Sequence, residues 1–107
     1  MSKGQRVAAL DEIPENGNRA FEIGGQEILI ARTPMGVFAV GAICTHQYQK
    51  LEGGKMKACY IFCPMHGIRF DMRDGKPSGT LTDKPLPRWR TSVEDGQVYV
   101  DLGGQSG

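Results

Sequence analysis

The sequence predicts an all-β fold, and three observations predict it. The chain has 15 glycines in 107 residues. Its apolar residues fall in short alternating runs. No apolar stripe of helical period is sustained beyond two turns. Glycine supplies the positive φ that tight turns need, so a chain this rich in it is cut into short strands. A length of 107 residues is one domain with a modest core. Thirteen Lys and Arg against twelve Asp and Glu leave a formal charge of +1. That near balance argues against an electrostatic nucleic-acid binder. No apolar run approaches the roughly 20 residues that span a bilayer. Residues 1–12 lack the apolar segment and cleavage site of a secretory signal. A cytoplasmic protein with no nucleic-acid and no membrane partner is expected.

The strands are justified in order. Residues 6–10 read as a first strand, closed by Asp11-Glu12-Ile13-Pro14, and residues 15–18 as a turn. Residues 19–23 and 27–32 flank the hairpin signal Gly24-Gly25. Residues 36–41 form a strand with Val37 and Ala39 on one face and Phe38 and Val40 on the other. A turn at 52–55 precedes a continuous strand over 56–62, with Cys59 and Ile61 on one face. A brief strand at 69–72 ends at the Asp74-Gly75 turn, and residues 79–87 read as loop. A final hairpin pairs 89–93 with 98–102 and places Trp89 in the core. Residues 103–107 read as a polar tail. The picture is an all-β domain with a ligand-bearing unit, about 44–75, inserted among its strands.

Cysteine and histidine carry the chemistry. There are three cysteines, Cys44, Cys59 and Cys63, and two histidines, His46 and His66. An odd cysteine count without a secretory signal is poor evidence for a disulfide framework. Every histidine sits in a Cys-His pair: Cys44-Thr45-His46 and Cys63-Pro64-Met65-His66. The pairs fit two metal chemistries. Zinc takes two thiolates and two imidazoles tetrahedrally, although a zinc finger groups its cysteines together and its histidines on a helix. A Rieske 2Fe–2S centre keeps two cysteines on one iron and two histidines on the other. Two loops that each give one Cys and one His suit that division. Cys59, inside the expected strand and outside both pairs, reads as a buried small hydrophobe.

Residues 43–71 resemble the Rieske family. Cys44-Thr45-His46 and Cys63-Pro64-Met65-His66-Gly67 match both cluster-binding motifs, and the likeness continues through Phe70-Asp71, Gly75, Pro85-Leu86-Pro87 and residues 93–100. The chain looks most like the small ferredoxin of bacterial aromatic-ring-hydroxylating dioxygenase systems. The resemblance implies a Rieske fold, an antiparallel β-sandwich with a small cluster-binding subdomain, over the whole of residues 1–107. It implies one 2Fe–2S cluster held by Cys44, His46, Cys63 and His66. It implies a one-electron carrier, itself no enzyme and with no small-molecule substrate. Its partners would be a flavoprotein ferredoxin reductase drawing on NAD(P)H and a terminal oxygenase.

The departures from other Rieske branches are informative. Respiratory Rieske proteins carry an extra cysteine in each loop; here Gln49 and Met65 stand there, so that disulfide is excluded. Their Ser and Tyr donors to the cluster are replaced by Ile68 and Phe70, which implies a low reduction potential. Neither histidines for a mononuclear iron nor a nucleotide-binding glycine fingerprint are left over. Gln47, Tyr48, Gln49, Met65 and residues 85–87 are candidates for the docking surface, and Lys50, Lys55 and Lys57 for attracting an acidic partner. The alternatives that remain are a structural zinc module binding a protein partner and a Rieske subunit of another oxidoreductase.

Overall fold

The computed structural model describes residues 4–43, 50–63, 68–78 and 84–106. The strands are β1 (Gln5–Ala9), β2 (Gly17–Ile23), β3 (Gln26–Thr33), β4 (Gly36–Gly41), β5 (Met56–Lys57), β6 (Tyr60–Phe62), β7 (Arg69–Asp71), β8 (Pro77–Ser78), β9 (Arg88–Glu94) and β10 (Gln97–Ser106), with one 3-10 turn at Leu10–Glu12. They form a six-stranded sheet ordered β1-β10-β9-β4-β3-β2 and a four-stranded sheet ordered β5-β6-β7-β8. Every pairing is antiparallel.

Turn chemistry sets the hairpins. Gly24 and Gly25 both have positive φ, 59° and 81°, and join β2 to β3 with Ile23 opposite Gln26. Two successive positive φ values match the right-handed twist of the flanking strands. Asp95 and Gly96 do the same between β9 and β10, at φ 51° and 73°. Between β3 and β4, Thr33 Oγ1 donates to the Gly36 carbonyl at 2.8 Å and accepts the Met35 N–H at 3.0 Å.

The halves β1-β10-β9 and β4-β3-β2 are joined by two residue pairs, Ala39 with Trp89 and Val40 with Arg88. The sheet then curls so that its two halves share one core. The Arg32 guanidinium of β3 donates to the Ile13 carbonyl at 3.1 Å, reaching the segment that follows β1. Leu102 of β10 comes within 3.0 Å of the place a Cβ would occupy on Gly24 in the β2–β3 turn. The two layers of the expected sandwich are therefore halves of one curled sheet.

β3 and β4 are buried on both faces. Ile28, Ile30 and Ala39 point into the curl with Ile13, Ile23, Trp89, Val98 and Val100. Leu29, Ala31, Val40 and Ala42 point the other way, against Leu51, Ile61, Cys63, Ile68, Phe70, Met72 and Leu86 of the small sheet and its connections. Trp89 is 6 % exposed, in the core as the sequence implies.

Two expectations are corrected. Residues 56–62 are not one strand: Ala58 takes φ 52°, and the chain reverses there so that Met56 pairs with Ile61 and Lys57 with Tyr60. Apolar alternation across 56–62 is shared by a continuous strand and by this hairpin, and the alternation alone does not separate them. Residues 103–106 are not a free tail, because β10 continues past a register break at Asp101 to pair Ser106 with Arg88.

Candidate metal centre

Three of the four candidate ligands, Cys44, His46 and His66, lie outside the described residues, as do Gln47, Tyr48, Gln49, Met65 and Gly67. What is described is the mouth of each loop. Residues 44–49 are bracketed by an antiparallel bridge between Ile43 and Lys50, and the Leu51 N–H donates to the Ala42 carbonyl at 2.8 Å. Residues 64–67 are bracketed by the Cys63 N–H, which donates to the Ile68 carbonyl at 2.7 Å. A third contact returns residues 84–87 to the small sheet: the Leu86 N–H donates to the Gly75 carbonyl at 2.8 Å.

Both mouths rest on one apolar cluster. Ala42 and Leu51 from the first and Cys63 and Ile68 from the second are buried together. Cys63 follows directly on β6, is 1 % exposed and carries a free thiol. Ile68 and Phe70, where the resemblance places missing donors, are buried with it and are wholly apolar.

Cys59 has a different environment. It sits in the β5–β6 turn rather than within a strand, is 3 % exposed, and its carbonyl accepts the Met72 N–H at 2.8 Å. Burial first, and the neighbouring Asp71 carboxylate second, push its thiol pKa up, so it stays a protonated thiol rather than a thiolate ligand. Cys59 and Cys63 are both free thiols, with β6 between them. Cys59 is buried, as the sequence implies, but in a turn and not within a strand. Asp71 itself is held well below the usual carboxylate range, at about 2, chiefly by the Arg73 guanidinium, which donates to its two oxygens at 3.1 and 2.8 Å.

Two residues that the sequence did not single out attach this region to the large sheet. Asn18 on β2 accepts the Gly53 N–H at 2.7 Å and donates to the Gly54 carbonyl at 3.2 Å and Met56 Sδ at 3.0 Å. The Glu52 carboxylate accepts the Ala20 N–H at 2.9 Å. The edge of β2 is thereby capped by the segment that leads from the first loop into β5. Asn18 lies beside Asn16-Gly17, a local turn signal, and no local pattern announces a partner 35 residues away.

The donor set fits an iron–sulfur group: a buried thiol at the end of β6, residues flanking 44–49 and 64–67 that share one apolar cluster, and a second thiol and two imidazoles within those two segments by sequence. The comparisons with known proteins agree. The family profile described as Rieske [2Fe-2S] domain matches residues 3–90. The chain belongs to the Rieske family. Among solved structures, the Rieske chain is similar to the ferredoxin of carbazole 1,9a-dioxygenase from Nocardioides aromaticivorans IC177, with 30% identity and a TM-score of 0.85 over 94% of this chain and 98% of that one. Among curated proteins it is 28% identical to the ferredoxin component of the naphthalene 1,2-dioxygenase/salicylate 5-hydroxylase systems of Ralstonia sp, over 90% of this chain and 92% of the relative. It is 29% identical to the anthranilate 1,2-dioxygenase ferredoxin subunit of Burkholderia cepacia, over 91% and 90%. It is a Rieske ferredoxin, a non-catalytic one-electron carrier with a 2Fe–2S cluster. Among the described residues no helix is long and apolar enough to cross a membrane.

Proposed function

We propose that this Rieske ferredoxin carries electrons one at a time from an NAD(P)H-dependent flavoprotein reductase to the terminal oxygenase of an aromatic-ring-hydroxylating dioxygenase system in the cytoplasm. Residues 1–107 act as one Rieske domain, and about 44–75 as its cluster-binding unit. Cys44 and Cys63 hold one iron, and His46 and His66 the other. When bound, the cluster supplies a single-electron couple. The chain's own contribution is to fix the ligands and the dielectric around them. The observation that carries the reading is Cys63, buried on the end of β6 in the apolar cluster that also floors the first loop. An apolar wall without side-chain donors, supplied by Ile68 and Phe70, leaves negative charge on the ligand sulfur and disfavours reduction.

The test is metal and sulfide analysis of the purified protein, with electron paramagnetic resonance after dithionite reduction. Two irons, two acid-labile sulfides and a Rieske spectrum are expected, lost on His46→Ala or His66→Ala. Stoichiometric zinc without sulfide overturns the proposal.

A further inference from the structure

The four-stranded sheet has an outer face on which exposed cations flank two half-buried aromatic rings. Ile61 and Phe70 point inward, fully buried. Alternation therefore puts Tyr60 and Phe62 of β6 and Arg69 of β7 on the outside. Arg69 confirms it by stacking its guanidinium 4.7 Å from the Tyr60 ring centroid. Tyr60 and Phe62 are half-buried, while Arg69 and Lys57 are exposed. Asp71 shares the face, but its carboxylate is taken by Arg73. Among the described residues, neither Lys57 nor Arg69 pairs with a carboxylate.

Charge is segregated along the fold. Residues 50–78 hold six Lys and Arg against three Asp and Glu, whereas residues 4–43 and 84–106 together hold six against eight. A near-neutral chain thus has a positive end, and that end is the small sheet. The face also lies next to the metal centre, since Phe62 precedes Cys63 and pairs with Arg69, which follows Ile68.

We propose that the outer face of β5-β6-β7, with Lys57, Tyr60, Phe62 and Arg69, is the docking surface for an electron-transfer partner protein that presents a carboxylate-rich patch. This rests on the carrier function above and adds the chemistry of the partner. Arg69 and Lys57 meet the carboxylates, and the two aromatic rings supply apolar contact, with Tyr60 already ordered by its cation–π stacking on Arg69. The weak, charge-steered contact expected of a shuttle suits a small patch of this kind.

The test uses the holo-protein and two defined probes, gold electrodes bearing carboxylate-terminated or amine-terminated alkanethiol monolayers. Interfacial electron transfer is expected to be at least about tenfold faster on the carboxylate surface, the lower end of electrostatic steering, and to lose that preference in high salt. Lys57→Glu with Arg69→Glu abolishes the preference. Arg6→Glu with Arg90→Glu, an equal charge change on exposed residues of the large sheet, keeps it. Equal rates for the wild-type protein on both surfaces, or equal losses in the two double variants, overturn the docking surface while a Rieske spectrum leaves the carrier function standing. Absence of a Rieske spectrum overturns both. Saturable binding of a 20-nucleotide thymidine oligomer, removed by the first pair of substitutions, would instead assign the face to nucleic acid and sink the proposal.

Discussion

The amide of Cys63 is hydrogen-bonded to the carbonyl of Ile68 at 2.7 Å, so the second loop is pinned at the residue that offers its thiol. The backbone that carries that thiol is held by β6 and β7. Cys59, four residues earlier, is equally buried but belongs to the β5–β6 turn and faces Asp71. The proposal gives the ligand role to Cys63 and none to Cys59. Cys63→Ala is expected to yield protein without bound iron or sulfide, whereas Cys59→Ala keeps both and loses about 1 kcal/mol or slightly more of stability for a small buried side chain. Iron and sulfide content with a urea titration checks both. A colourless Cys59→Ala protein that is still folded would reverse the assignment.

Ile68 packs beside Cys63 with no polar atom to offer. Ile68→Ser adds a hydroxyl there. A hydrogen bond to an ionised acceptor is worth about 1.5–3 kcal/mol, and 100 mV corresponds to about 2.3 kcal/mol per electron. The reduction potential is expected to rise by on the order of 100 mV, read by protein-film voltammetry. An unchanged potential, with the hydroxyl seen on the Cys63 sulfur, counts against the donor argument.

Asp71 is held at about 2 by Arg73, below its ordinary value of 3.8. The folded state therefore favours the charged carboxylate. Its contribution is fully present above the ordinary value and is lost as pH falls through about 2. Wild-type stability is expected to drop more steeply than that of Asp71→Asn between pH 4 and pH 2. Urea midpoints for both proteins across that interval measure it, and parallel curves would remove Asp71 from the acid sensitivity.

Two backbone positions are expected to respond with opposite signs. Ala58 adopts φ 52°, a conformation that costs an L-residue about 1–2 kcal/mol, so Ala58→Gly should stabilise by roughly 0.5–1 kcal/mol once the added chain entropy is offset. Gly75 adopts φ 80°, and a Cβ there would collide with the Leu86 carbonyl oxygen. Gly75→Ala should destabilise and should also loosen the return of residues 84–87. Thermal melts of the two variants that shift the same way would contradict the turn assignments.

The strands of the large sheet were legible because their turns carry explicit chemistry: Gly24-Gly25 and Asp95-Gly96 each force a reversal at one place. Ala58 carries no such signal, since alanine gives no warning of a positive φ, and residues 56–62 alternate like one strand although they form the β5–β6 hairpin. The ligand motifs were visible in the sequence because their residue types are rare and tightly spaced. Asn18 and Glu52 were not visible, because their role is a contact between β2 and the 52–56 segment that exists only after folding. The excess of positive charge in residues 50–78 is legible once the total of +1 is divided by segment, but only the fold shows that this segment forms a separate sheet.

The double burial of β3 has a consequence for its register. In a strand with one wet face, sliding by one residue exposes the apolar side and is strongly penalised. In β3 the slide would exchange Ile28 and Ile30 for Leu29 and Ala31, which are apolar too, so the hydrophobic pattern objects only through the smaller volume of Ala31. Alignment must then be enforced from the ends, by the paired glycines before β3 and by the Thr33 hydroxyl clasp after it. Those few turn atoms act together with the volume difference between Ile30 and Ala31 to choose the alignment that the shared wall adopts, and with it where Ala42 and Ile43 lead the chain toward residues 44–49.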